Sequence, residues 1–99
     1  MPEARVLDAG VIERRLSSAK GWEVKEGKLH KEFTFGTFPE AFGFMTAIAL
    51  VAEAMNHHPE WTNVFNRVSI DLATHSAGGI TERDFALLER IETLAGKTH

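Results

Sequence analysis

The residues best suited to chemistry lie together between Glu53 and Trp61, in the run Glu-Ala-Met-Asn-His-His-Pro-Glu-Trp. Two adjacent imidazoles, His57 and His58, are followed by Pro59. Histidine exchanges protons near neutral pH without help, so the pair suits acid–base work. Neighbouring side chains diverge by about 100° on a helix and about 180° on a strand. Both rings can therefore serve one substrate only where the backbone is irregular. Proline disfavours the α region for the residue before it, so a helix entering this run is expected to end by His58. Glu53 and His57 share a helical face, with His57 in the last turn, where the macrodipole favours an imidazolium. The stretch reads as an acid–base site on a helix end, with Pro59 turning both histidines into one cleft. The two histidines and Glu53 fit no common zinc-ligand spacing, so no metal is expected. The chain has no cysteine, which excludes disulfides, thiolate chemistry and cysteine-ligated zinc.

The elements that must position this site follow from periodicity and turn chemistry. Asp8 can cap a short helix carrying Ile12 and Leu16, with Ala19 near its end. Trp22 to Lys25 reads as a strand, Glu26-Gly27 as a two-residue turn, and Lys28 to Phe35 as an alternating, half-buried strand. Thr37 to Glu40 is a capping box opening a helix that runs to about Met55. Phe38, Ala41, Phe42, Met45, Ile48, Ala49 and Ala52 form its apolar stripe, yet Phe44, Leu50 and Val51 fall outside it. A helix apolar nearly all round is buried on more than one side, and so small a domain cannot cover both, which predicts an oligomer. Glu60 to Phe65 and Val68 to Thr74 read as paired strands around a turn at Asn66-Arg67, with Val68, Ile70 and Leu72 facing inward. A glycine-bearing loop follows from His75 to Gly79. Thr81 to Asp84 resembles a capping box and opens a last helix that Gly96 is placed to end. The fold class is α+β: one four-stranded antiparallel sheet with three helices packed on one face, in the order α-β-β-α-β-β-α.

Ninety-nine residues suit one domain spanning 1–99. A net charge of −3 gives no electrostatic reason to bind nucleic acid or an anionic membrane. Met1 to Leu7 lacks the apolar core of a signal peptide, and no apolar stretch reaches the roughly 18 residues of a membrane span. The expectation is a cytoplasmic protein with no membrane contact. His30 and His99 are expected to be exposed bystanders.

Several of these residues recur together in one family. Trp22, the run Phe42 to Met45, Glu53, the run His57 to Trp61, Asn63-Val64, Thr74-His75, Gly79 and the run Thr81 to Asp84 stand in the order and spacing of the pterin-4a-carbinolamine dehydratases, which this chain resembles over roughly residues 20 to 90. Asn56 stands where aspartate is also common, and Phe65 where tyrosine is frequent. The resemblance implies removal of water from a 4a-hydroxytetrahydropterin to give the quinonoid dihydropterin, with the pterin as substrate and no cofactor. It implies a link to aromatic amino acid hydroxylases, whose cofactor this reaction recycles, and a homodimer or homotetramer. On this reading His57 and His75 transfer protons, while His58 mainly holds the pterin. Glu53 orients His57 or accepts from a pterin N–H. The Thr74, His75, Ser76 and Ala77 backbone meets the pyrimidine edge, next to Pro59, and Trp22 and Trp61 wall the cleft. Two other roles fit the same resemblance: a non-catalytic assembly factor, and a dimerisation cofactor for a transcription factor.

Overall fold

The first hairpin turns on Glu26 and Gly27, both at positive φ (53° and 78°), as the two central residues of a hairpin turn matched to strand twist require. It joins β1 (Glu23–Lys25) to β2 (Lys28–Thr34), and a second hairpin joins β3 (Glu60–Val64) to β4 (Arg67–Leu72). β2 pairs with β4 from Leu29 opposite Leu72 to Thr34 opposite Arg67, giving one antiparallel sheet of order β1-β2-β4-β3. The computed structural model describes residues 5–98, so His99 lies outside the described residues. The second turn is one residue earlier than expected, at Phe65-Asn66. The backbone N–H of Phe35 donates to the Asn66 carbonyl, and the Asn66 amide donates to the Phe35 carbonyl, at 2.9 and 2.7 Å. Those bonds tie Asn66 to the end of β2 and leave Phe65 to take the positive φ of 52°.

Three helices, α1 (Ala9–Leu16), α2 (Phe38–Met55) and α3 (Glu82–Thr98), complete the order α-β-β-α-β-β-α. Leu29, Val68, Ile70 and Leu72 face them from the sheet and are fully buried, together with Phe44, Ile48, Leu87 and Ile91. The Thr37 capping box forms as expected, with both reciprocal bonds present. The buried stripe of α2 is rotated from the expected one: it is Ala41, Phe44, Ile48 and Ala52, while Phe38, Phe42, Ala49 and Leu50 are exposed. An evenly apolar helix carries little periodic signal, and here the rings of Phe33 and Phe35, 5.0 and 4.8 Å from Phe44, select the inward face. At 18 residues and mean hydropathy 1.3, α2 does reach the length and apolarity of a membrane span, against the expectation that no stretch would. One of its faces is packed on the sheet and α3. The last helix also runs through Gly96, because a single glycine costs a helix only about 1 kcal/mol.

The end of α2 decides where the histidines go, and Pro59 is not what ends it. Asn56 adopts the left-handed conformation (φ 52°, ψ 44°). Its N–H bonds to the Glu53 carbonyl at 3.1 Å, and the His57 N–H reaches back to the Ala52 carbonyl at 3.0 Å. These are the two bonds of a Schellman motif, which asparagine supports at its left-handed position. The helix therefore stops three residues before the proline. Pro59→Ala is expected to leave the helix end in place and to cost only about 0.4–1 kcal/mol through the unfolded chain. Asn56→Gly should be tolerated, whereas Asn56→Val puts a β-branched residue in a left-handed conformation and should lower stability by about 1–2 kcal/mol or more. Thermal unfolding of the three variants side by side checks the order.

Candidate active site

Past Asn56 the chain leaves the helix, and the two neighbouring histidines separate toward different partners. The His57 ring is buried, and its Nε2 lies 2.6 Å from Oδ1 of Asp84, a fully buried carboxylate near the start of α3. Oδ2 of Asp84 accepts from the Thr81 backbone N–H at 2.9 Å and from the Thr74 hydroxyl at 2.8 Å. The Thr74 and Thr81 hydroxyls meet at 2.7 Å. A carboxylate is tolerated at such depth only when donors surround it, as they do here. The Thr81 to Asp84 segment thus keeps half of the expected capping box, since Asp84 accepts the Thr81 N–H. Its second oxygen is turned to the histidine instead.

His58 points outward and its Nε2 meets Oε1 of Glu53 at 2.9 Å. Glu53 therefore orients His58 and not His57. His57 lies beyond the last helical turn, off the face that Glu53 occupies. The side chains of this pair are 58% and 81% exposed, so it contributes about 0–1 kcal/mol. His75, in the loop after β4, completes the set: its Nε2 lies 2.9 Å from Oε2 of Glu60. The other carboxylate oxygen of Glu60 accepts from Lys28 Nζ at 2.8 Å. That hydrogen bond holds the Glu60 carboxyl below the usual carboxylate range, and the carboxylate in turn raises Lys28 above the ordinary lysine value. In all three pairs the ring nitrogen within 3 Å of the carboxylate is Nε2.

Between them lies a cleft of about 240 Å³ bounded by Asn56, His57, His58, Ala73, Thr74, His75, Ser76 and Arg83. Arg83 closes one side by donating from Nη2 to the Asn56 carbonyl at 2.6 Å. A second hollow of about 290 Å³ shares Ala73, Thr74 and His75 and continues to Lys28 in the first hairpin. The expected residues His57, His58, Thr74, His75 and Ser76 are thus brought together. Trp22 is not among them: it is buried in the core, edge-on to Phe33 at 6.1 Å, and its indole N–H donates to Glu92 at 2.8 Å. Trp61 pairs with Ile70 on the helix-facing side of the sheet and packs on the core. Pro59 and Ala77 do not border the cleft, and the Ala77 N–H is taken by the Thr74 carbonyl at 3.0 Å. His30 is half-buried rather than exposed, with Nδ1 2.9 Å from Asp71.

Asp84, Arg83 and Glu60 are the residues that sequence reasoning missed. Asp84 reads as a capping residue and Glu60 as the start of a strand. The available signal was that three carboxylates, Glu53, Glu60 and Asp84, lie near three histidines that need partners. Among the described residues, no group of three or more His, Asp or Glu side chains is disposed to hold a metal ion.

Comparison with known proteins gives a consistent result. The family profile described as pterin 4 alpha carbinolamine dehydratase matches residues 5–94. A protein of Solibacter usitatus is 55% identical over 89 residues, covering 90% of this chain and 94% of its own, and carries that dehydratase name provisionally. A Chelativorans protein with the same provisional name is 50% identical over 93 residues, covering 92% of this chain and 95% of its own. Among solved structures, a transcriptional coactivator/pterin dehydratase from Brucella melitensis superposes with a TM-score of 0.89 at 39% identity, over 93% of this chain and all of that one. A pterin dehydratase-like protein identified as a RuBisCO assembly factor in the alpha-carboxysome gives 0.63 at 29% identity, over 76% of this chain and 87% of that one.

Proposed function

The chain belongs to the pterin 4 alpha carbinolamine dehydratase family, and from that premise we propose that it dehydrates a 4a-hydroxytetrahydropterin to the quinonoid dihydropterin by histidine acid–base catalysis. The observation that carries this reading is the buried His57–Asp84 pair at the edge of a cleft that His58 and His75 also border. The reaction breaks the C4a–O bond and the N5–H bond and forms a C4a–N5 double bond. One proton must reach the departing hydroxyl and one must leave N5, so the balance is a single water. Two histidines suffice for this exchange, and neither a cofactor nor a metal enters the scheme. A carboxylate behind a histidine fixes its tautomer and stabilises the imidazolium as it forms, which suits His57 to one of the two transfers. His75 takes the other, and His58 holds the pterin ring. A resting place for this activity in the cytoplasm, beside an aromatic amino acid hydroxylase, completes the proposal.

The purified protein is expected to accelerate carbinolamine dehydration with no added metal or nucleotide and no change in EDTA. Loss of rate on chelation, with recovery on adding zinc, would overturn the metal-free scheme. Absence of any acceleration would favour the second reading, a non-catalytic assembly role. The likeness to the RuBisCO assembly factor is what supports that reading.

We also propose a homo-oligomer, dimer or tetramer, with α2 at a subunit interface. Phe42 and Leu50 lie on its outer face, 54% and 71% exposed, and the Phe38 ring sits tilted against Phe42 with ring centroids 5.9 Å apart. Leu50→Glu should shift the protein to smaller species, because burying an unpaired carboxylate is costly. A monomer in sedimentation for the unmutated chain would end this proposal.

A further inference from the structure

We propose that Glu60, anchored by Lys28 of the first hairpin, is the positioning residue of His75: it fixes the ring in the Nε2–H tautomer and makes Nδ1 the nitrogen that exchanges protons. The kinetic part of this inference rests on the dehydratase reading; the structural part does not. Among the described residues, the carboxylate that lies against His75 is Glu60, with Oε2 2.9 Å from Nε2. Oε2 is shielded from solvent and has no aligned hydrogen-bond donor among the described residues. At that separation an N–H turned onto the carboxylate oxygen is attractive and a nitrogen lone pair is repulsive, so a ring that swings into line does so with the hydrogen on Nε2. The His75 side chain is 76% exposed, which leaves the ring room to swing into alignment and satisfy the oxygen. Free histidine in a solvated loop has no such preference imposed on it, and its tautomer is set by whatever bond the other nitrogen makes.

Lys28 is what keeps the carboxylate in place. Its ammonium holds Oε1 at 2.8 Å from the start of β2, across the sheet from Glu60 at the start of β3. His75 is the exposed member, carried on a loop whose Thr74 pairs back to Gly79. Two strands of the sheet thus hold one side chain that a loop residue must meet. The arrangement repeats in open form the Asp84–His57 pair of the core: a carboxylate beside Nε2, with Nδ1 outside the pair.

The test combines nitrogen-15 NMR of the histidine rings with steady-state kinetics on the full chain. The unmutated protein should show His75 as the Nε2–H tautomer. Glu60→Ala should convert it to a mixture and lower turnover about tenfold with KM changed less than twofold. Glu60→Gln must turn its one acceptor oxygen to the Lys28 ammonium and its amide NH₂ to His75, so it should drive the ring toward the Nδ1–H tautomer and lower turnover at least as far as Glu60→Ala. Lys28→Met, which frees the carboxylate without removing it, should give a partial loss of tautomer preference. His75 remaining fully Nε2–H in folded Glu60→Ala would overturn the inference whatever the kinetics show. If the unmutated chain had no dehydratase activity, the dehydratase reading would fall, and the tautomer measurements would still decide whether Glu60 positions His75.

Discussion

Asp84→Asn is expected to lower carbinolamine dehydration by a factor of about 10² to 10⁴ while the domain stays folded. Asparagine is nearly isosteric with aspartate but has one acceptor oxygen in place of two. That oxygen must face the Thr81 backbone N–H and the Thr74 hydroxyl, since both donors point at Oδ2. The amide NH₂ then faces His57 Nε2, the position Oδ1 now holds at 2.6 Å. Nε2 has to become the acceptor, so the ring hydrogen moves to Nδ1. The nitrogen left for the substrate then carries a proton where it should accept one, and the imidazolium has lost its counter-charge. Asp84→Ala is a poorer probe. It strands two buried donors and the ring, and losing one partner of a buried pair costs about 3–5 kcal/mol, a large share of the 5–15 kcal/mol typical of a domain. Thermal unfolding and single-turnover dehydration on the same Asn variant separate the two effects. A folded Asp84→Asn protein with near-normal turnover would remove His57 from the chemistry.

The fold was legible in the sequence because its signals are local and mutually consistent. Glu26-Gly27 states its turn, Thr37 and Glu40 state their capping box, and the alternation from Val68 to Leu72 states a strand with one buried face. Errors fell where tertiary contacts outweigh local pattern. The inward face of α2 is chosen by Phe33 and Phe35 across the core, which no window along the helix contains. The turn at Phe65-Asn66 is set by bonds to Phe35, 31 residues away. Proline carries the stronger rule for ending a helix, yet a left-handed Asn56 acts first. At the site, the histidines were visible as residue types near a helix end. Their partners were not, because Glu53, Glu60 and Asp84 reach them through backbone directions that spacing does not encode. Glu53 shares a helical face with the place His57 would occupy if the helix continued. Once Asn56 turns the chain, that face meets His58.

These pairings divide the labour of the three histidines, and the division can be measured. His57 is buried and locked to a buried carboxylate, so its ring has one orientation and one nitrogen to offer. His57→Gln, which keeps an N–H donor for Asp84, is expected to lower turnover by about 10² or more without unfolding the domain, the lower end of a general acid–base contribution. His75→Ala should do the same, since it removes the cleft imidazole that Glu60 backs. His58 differs in kind. Its pair with Glu53 is open to water on both members, so it confers little rigidity and little electrostatic bias. Such a ring is suited to ground-state contact with the pterin, and uniform binding of that sort appears in KM rather than kcat. His58→Ala should therefore raise KM more than it lowers kcat. Measuring both constants for the three variants decides the matter. A His58→Ala protein with reduced kcat and unchanged KM would transfer the proton-exchanging role to the exposed ring, and the buried pair would then serve only to hold the end of α2 against α3.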